Sequence, residues 1–471
     1  MPARGEVGLA PATPNHGSEK ILMMQALEEE LAGPLASPVQ IRERIASLDV
    51  LRGVAVFGIL MNNIKDLAGP TGFASDIPLE LVGKPAAHPA LDLGATILQL
   101  LLVQGQMRAL FALLFGAGVV LLLERVTRQM GVERAADIFH RRNMWLLLIG
   151  VIHGSLIWYG DVLLQYSVIA LLFLYPLRHL AARRLIVAGL VMSFAATTIS
   201  RLVLVDPAEV MHSATVQEAA FAARSKHQSL TDPQQTALDA VAAADKTRLQ
   251  LASVESVEGR RGYVQTESEN AHGQLQFLTL LFTSGLIFEV VGFMIAGMGL
   301  YKTGFLSASL STSTYVMTAV LGYAISIPIV LIGFHHAQLA GFSTAVVTKW
   351  LSFPYSLHQI PGVLATTSLL LLAVRKRIML PVQRGLAAVG RMALSNYILS
   401  SVVCQVVFRW GPIRLYGVLE YYQYFLVMAG VWLLQLVFSL IWLRIFAFGP
   451  LEWAWRSLTY WQRQRLVAVA T

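Results

Sequence analysis

The chain has 471 residues, is 55% hydrophobic and only 14% charged, and carries a formal net charge of +8. Soluble domains are nearer a quarter charged, and here the apolar residues lie in long blocks, which excludes a soluble enzyme and identifies an all-α polytopic membrane protein. The single cysteine, Cys404, allows no internal disulfide and no cysteine-based metal site; no metal is expected, and the positive charge reads as basic cytoplasmic loops, not as a nucleic-acid surface.

Residues 1–40 are polar, lack a signal-peptide pattern and are expected to form a disordered cytoplasmic tail. Ten apolar runs then follow, each long enough to cross a bilayer at ~20 residues per crossing. They lie near 50–66, 105–123, 143–159, 161–177, 185–205, 276–300, 313–334, 350–374, 392–409 and 424–446, five within 41–205 and five within 276–461. The stretch from Leu91 to Leu123 is too long for one span. Gly105 is expected to divide it and leave "LDLGATILQLLLVQ" interfacial or re-entrant. Basic residues collect between runs two and three (Arg125, Arg128, Arg134, Arg141, Arg142), between four and five, and in "RKRIMLPVQRGLAAVGR" between eight and nine. These loops alternate correctly for one cytoplasmic side, with Arg42, Arg44 and Arg444 in agreement, so both termini are expected inside. The polar segment 206–275 falls outside by parity and reads as a helical cap. The closing "FGPLEWAWRSLTYW" reads as an interfacial aromatic belt.

Polar groups inside the runs are the candidate site. In "SLDVLRGVAVFGILMNNI", Asp49 and Arg52 are i,i+3 neighbours on one helix face, an ion pair at the mouth of the run that by position alone reads as an anchor, with Arg52 reaching lipid phosphates. Asn62 and Asn63 follow; Asn63 lies ~16 Å deeper, where an amide must face protein or water. His153 is again ~16 Å from Arg142, with Gly150 and Gly154 beside it, and its pKa range suits a general base. Asp161 orients it only if the chain folds back. Arg108, Glu289 and Asn396 are further polar candidates for a substrate site, and Asn63 and His153 are expected to share one cavity.

These residues sit in motifs that resemble a bacterial YeiB-like family, carried by "LDVLRGVAVFGILMNNI", "RALFALLFGAGV", "RRNMWLLLIGVIHGSLIWYGDVLLQYS", "GRMALSNYILSS" and "FGPLEWAWRSLTYW". The opening motif is also similar to that of the wider transmembrane acyltransferases. That resemblance implies a bacterial inner-membrane protein moving an acyl group from acyl-CoA to an extracytoplasmic sugar or other small acceptor. In acyltransferase family 3 the first-helix motif ends in a catalytic histidine; here Asn63 stands at that position, and an asparagine cannot be a base.

Three functions follow from the residues. The first is acyl transfer, with His153 and Asp161 catalytic, Asn62, Asn63, Arg108, Glu289 and Asn396 on the acceptor, and Asp49 and Arg52 on the donor. The second is secondary transport of a small solute, although no paired broken helices are apparent. The third is a structural or partner-binding role in the bilayer. Oligomeric state is left open.

Overall fold

The structure is a computed structural model that describes residues 46–70 and 77–467; the expected tail at 1–40, and Arg42 and Arg44 with it, lie outside the described residues. Among the described residues the chain is helical, with one isolated bridge between Phe446 and Val467. The helices are α1 (Ala46–Ala68), α2 (Pro89–Leu102), α3 (Gln106–Met130), α4 (Val132–Leu156), α5 (Leu163–Leu177), α6 (Ala182–Leu204), α7 (Pro207–Ser225), α8 (Asp232–Glu258) and α9 (Tyr263–Thr283). They continue as α10 (Ile287–Lys302), α11 (Thr312–Leu339), the short α12 (Thr344–Val347) running into a π-helical turn at Thr348–Ser352, and α13 (Tyr355–Arg375). The last four are α14 (Leu380–Arg391), α15 (Ala393–Trp410), α16 (Tyr421–Ile445) and α17 (Pro450–Tyr460).

In hydrocarbon the apolar side chains gain nothing from clustering, so close packing between small residues must hold the helices together. The core shows this. Helix α10 is buried on nearly every face between α3 and α6. A Cβ on Gly116 of α3 would stand 1.9 Å from the Met294 carbonyl oxygen, and one on Gly292 would stand 2.5 Å from that of Gly189. On the outside, α6, α11 and α16 present Val191, Val320 and Leu433, each 61% exposed, which is the surface expected to face lipid.

A helix stands over each of the ten apolar runs, but length and composition support fewer crossings. Among the described residues six helices are long and apolar enough to cross a membrane, and two bent pairs raise the number to as many as eight. Two expectations change in detail. The run at 276–300 is broken after Ser284, where Gly285 takes φ +76° and α9 meets α10 at 74°. The basic segment before run nine is helical from Leu380 to Arg391, and α14 meets α15 at 85°. Gly105, with φ +72°, divides the 89–130 run as expected. Helix α5 has only 15 residues, and the first half of α4 carries Glu133, Arg134, Asp137, Arg141 and Arg142. At ~1.5 Å per residue, α5 is therefore shorter than a ~30 Å hydrocarbon core.

The segment 206–275 is helical. Helix α8 starts with a capping box between Thr231 and Gln234, and α9 runs straight through position 275. Helix α7 is held to the body by Glu218. Its Oε2 accepts from Lys349 Nζ at 2.6 Å, its Oε1 accepts from Trp350 Nε1 at 2.6 Å, and His336, stacked on Trp350, lies 3.4 Å away. Burial pushes the Glu218 carboxyl up, but the bonds from Lys349 and Trp350 and the charge of Lys349 outweigh it and hold the group below the usual glutamate range.

Candidate functional site

Two cavities open at opposite ends of α1. The smaller, about 230 Å³, lies at the Asp49 end and is walled by α1, α3, α4, α5, α14, α15 and α17. The larger, about 800 Å³, lies at the Asn63 end under α8 and α9. Thirteen residues of α1 separate Asp49 from Asn62, ~20 Å along the axis.

At the Asp49 end the i,i+3 spacing produces the expected pair, Arg52 Nη1 donating to Asp49 Oδ1 at 3.1 Å. Helix α14 crosses α1 so closely that a Cβ on Gly390 would lie 1.9 Å from the Asp49 carbonyl oxygen. That crossing brings Arg391 to the same wall. Helix α17 brings Trp455, Arg456 and Tyr460, and α4 brings Arg142. The expected aromatic belt is thus part of a cavity wall. Glu452 anchors it by accepting from the backbone N–H groups of Leu394 and Ser395 at 2.7 and 3.1 Å, and from Ser395 Oγ at 2.6 Å. These are the orphan donors at the start of α15. Burial, with Arg52 nearby, holds the Arg456 guanidinium below its usual range despite Tyr460 and Glu452.

Between the cavities the chain reverses at 157–162, so Asp161 does fold back onto His153. Asp161 Oδ1 lies 2.8 Å from His153 Nδ1, Oδ2 accepts from the Leu164 N–H at 2.7 Å, and Tyr397 OH approaches Oδ1 at 3.5 Å. Both side chains of the His–Asp pair are 1% exposed, and the Tyr397 ring lies 5.1 Å from the imidazole. Nε2 of His153 is buried with no hydrogen-bond partner among the described residues. Irregular backbone at this depth must be satisfied by protein. Gln405 Nε2 and Asn270 Nδ2 donate to the Ile157 carbonyl at 2.9 and 3.4 Å, and Gln274 bonds Ser155. Gly150 admits the returning strand of the hairpin: a Cβ there would stand 2.3 Å from Leu164 N.

At the Asn63 end, Asn62 and Asn63 line the larger cavity and bond each other at 3.0 Å. Arg108 Nη2 donates to Glu289 Oε1 at 2.9 Å; Gln359 and Thr197 donate to the same carboxylate at 2.8 and 3.0 Å. This closes one wall, with Arg201 over the Tyr355 ring at 4.8 Å. In the roof, Tyr416 OH donates to Glu255 at 2.7 Å, and burial raises the Glu255 carboxyl against that bond.

Two expectations about placement do not match this geometry. His153 is not on the wall of the Asn63 cavity, because α4 ends at Leu156 and the turn residues Trp158, Gly160 and Val162 stand on that wall instead. Asn396 lines neither cavity; its Nδ2 donates to the Val389 carbonyl and to Ser439 Oγ at 3.1 and 2.9 Å, tying α14, α15 and α16 together. Its neighbour Tyr397 is the residue that reaches the site. Sequence reasoning also missed Gln359, beside His358, and Thr197, beside Thr198, polar residues within apolar runs whose signal is their depth.

Residues 300–462 match the family described as "Protein of unknown function (DUF418)". The chain is similar to "Uncharacterized protein YxaH" of Bacillus subtilis (strain 168), 26% identical over 436 residues, covering 90% of this chain and 97% of the relative. It is also similar to "Uncharacterized protein YeiB" of Escherichia coli (strain K12), 28% identical over 429 residues, 88% and 96% of the two chains. The YeiB-like resemblance is borne out by these matches. No solved structure matches the chain.

Proposed function

We propose that this YeiB-like chain is a membrane acyltransferase that uses a thioester donor at the Asp49 end and an acceptor hydroxyl at the Asn63 end. The observation that carries the reading is the buried His153–Asp161–Tyr397 cluster in the partition between two cavities. Tyr397 lines the smaller cavity, and Gly160 and Val162, either side of Asp161, line the larger one. Donor and acceptor would thus meet at one base from opposite sides.

Asp161 would hold a proton on His153 Nδ1 and leave Nε2 free to take the proton of the acceptor hydroxyl. Asn62 and Asn63 would hydrogen-bond the acceptor, and the Arg108–Glu289 pair would fix the far wall. Arg52 and its neighbours at the Asp49 end would hold the donor, acyl-CoA being the class the residues fit. When bound, that donor supplies an activated acyl carbonyl and a thiol leaving group. The reading requires the 157–162 turn to open, because Nε2 is closed to both cavities. It places the chain in the bacterial inner membrane with ten crossings, counting the short α4–α5 hairpin as two. The Asp49 end and both termini are cytoplasmic, and the 206–275 cap and the small-molecule or glycan acceptor are outside.

The test is thiol release from acetyl-CoA by purified protein in nanodiscs, supplied with extracytoplasmic glycan and lipid fractions, with the acetylated product identified by mass. Release and product that both vanish in His153→Gln support the reading; no acetylated product from any fraction overturns it. A secondary transporter is the second reading, favoured by the two bent helix pairs. Both pairs lie in the carboxy-terminal half, not in corresponding places of two halves, so the inverted-repeat pattern is absent among the described residues.

A further inference from the structure

We propose that the cavity at the Asp49 end is a binding site for the phosphate groups of an organic phosphate with a narrow, apolar-tolerant tail, and that the carboxy-terminal helix α17 completes it. The proposal deepens the acyl-transfer reading and rests on it for the ligand's role as donor, though not for the phosphate chemistry.

Four guanidinium groups, of Arg52, Arg142, Arg391 and Arg456, face this cavity, against one carboxylate, Asp49, among the described lining residues. They come from four separate elements, so no local helix spacing explains their convergence. The protein leaves most of their donors unused. Arg142 lies flat on the Trp455 ring at 3.7 Å and Arg456 over the Phe448 ring at 4.7 Å, and neither guanidinium donates a hydrogen bond among the described residues. Arg391 gives one long bond, 3.4 Å, to the Ala447 carbonyl, and its Nε is buried without a partner among the described residues. Only Arg52 is paired, at 3.1 Å to Asp49. Half-buried like charges held together in a low-dielectric wall call for an anion, and the planar guanidinium fork matches phosphate oxygens two at a time.

Shape narrows the ligand. Beyond the arginines the wall turns apolar, with Phe111, Leu114, Phe115 and Leu163, and ends at Tyr166 and Tyr397, beside His153. A volume of about 230 Å³ admits phosphates and part of a thin tail, so a bulky head group would remain outside. Two sources share this chemistry, a soluble phosphorylated carrier and an anionic phospholipid.

Coenzyme A binding to full-length protein in phosphatidylcholine nanodiscs, measured by calorimetry, tests the site, with inorganic pyrophosphate as a competitor. Arg142→Gln and Arg456→Gln are each expected to weaken coenzyme A by at least about ten-fold, the loss of a charge-assisted bond. Arg456→Lys should fall between, and the exposed Arg384→Gln should leave binding unchanged. Elution profiles exclude misfolded variants, and the lysine variant keeps the test decisive if a glutamine variant aggregates. A second arm asks whether phosphatidylglycerol co-purifies in place of coenzyme A. Arginine-dependent retention of that lipid without coenzyme A binding supports the phosphate site, assigns it to the bilayer and removes the donor role. Binding unchanged in all the cavity variants, or no binding of coenzyme A, pyrophosphate or phosphatidylglycerol, overturns the proposal. Arginine-dependent coenzyme A binding with no acyl transfer to any acceptor leaves this site standing and overturns the transfer reading alone.

Discussion

With Nδ1 2.8 Å from an Asp161 oxygen, an Asp161 carboxylate favours the His153 tautomer that donates from Nδ1 and leaves Nε2 free. Asp161→Asn removes the carboxylate that holds this tautomer. Transfer is expected to fall ~10²- to 10⁴-fold in both Asp161→Asn and His153→Gln, the range of one general base, with coenzyme A affinity unchanged. Turnover and calorimetry on the same samples check the pair, and a matching loss of binding contradicts it. The Arg108–Glu289 pair predicts an asymmetry in stability. Glu289 is 2% exposed at its side chain and Arg108 41%, so Arg108→Gln strands a buried carboxylate, at a cost of about 3 kcal/mol, and Glu289→Gln costs less. Melting in detergent, compared between the two variants, measures it. The residue scale was legible where partners are close in sequence, as with Asp49 and Arg52. Arg108 and Glu289 were both singled out, but 181 positions separate them, and no spacing rule reaches across that distance. The same holds for Arg142 and Arg456, whose convergence depends on how α17 docks.

At the scale of elements, apolar runs located the helices because hydrocarbon demands internal bonding over each crossing. The break at Gly285 was hidden, since the sequence stays apolar on either side, whereas the one at Met392 falls where the basic segment meets run nine, and only its sharp angle was hidden. What bends the chain at Met392 is remote: Glu452, fifty-odd residues later, satisfies the N–H groups of Leu394 and Ser395. The cap helix α7 carries its own prediction. Glu218 titrates below the ordinary glutamate value of 4.5 in the folded protein, so the bridge to Lys349 and Trp350 stabilises the cap above that value. The stabilisation is lost as pH falls through the lower folded value. Protease cleavage within 207–225 is expected to rise on acidification through this window, and Glu218→Gln should show raised cleavage already at neutral pH with a flatter profile. Cleavage of the parent that is independent of pH would show that other contacts hold the helix.

For the whole molecule, the proposed ten-crossing arrangement predicts where probes react. Cys404 is the single cysteine and is buried, so a cysteine placed at exposed Ala242 on α8 is the one site open to an impermeant maleimide. Labelling is expected in intact cells, and a tag after Thr471 should be reached only after permeabilisation; the opposite result reverses the molecule in the membrane. The two cavities have one more consequence, which is electrical. Where water enters a protein from both faces, the membrane potential falls mainly across the thin dry layer left between. In the proposed orientation, with one cavity open to each face, that layer is the His153–Asp161–Tyr397 partition. A charge driven across it feels nearly the full potential, ~2.3 kcal/mol per elementary charge per 100 mV. An acyl group is neutral and crosses the same layer without sensing the field. Energising the membrane with an ionophore and a potassium gradient would therefore leave group transfer unchanged and steepen ion-coupled flux, which separates the two chemistries without knowledge of either substrate.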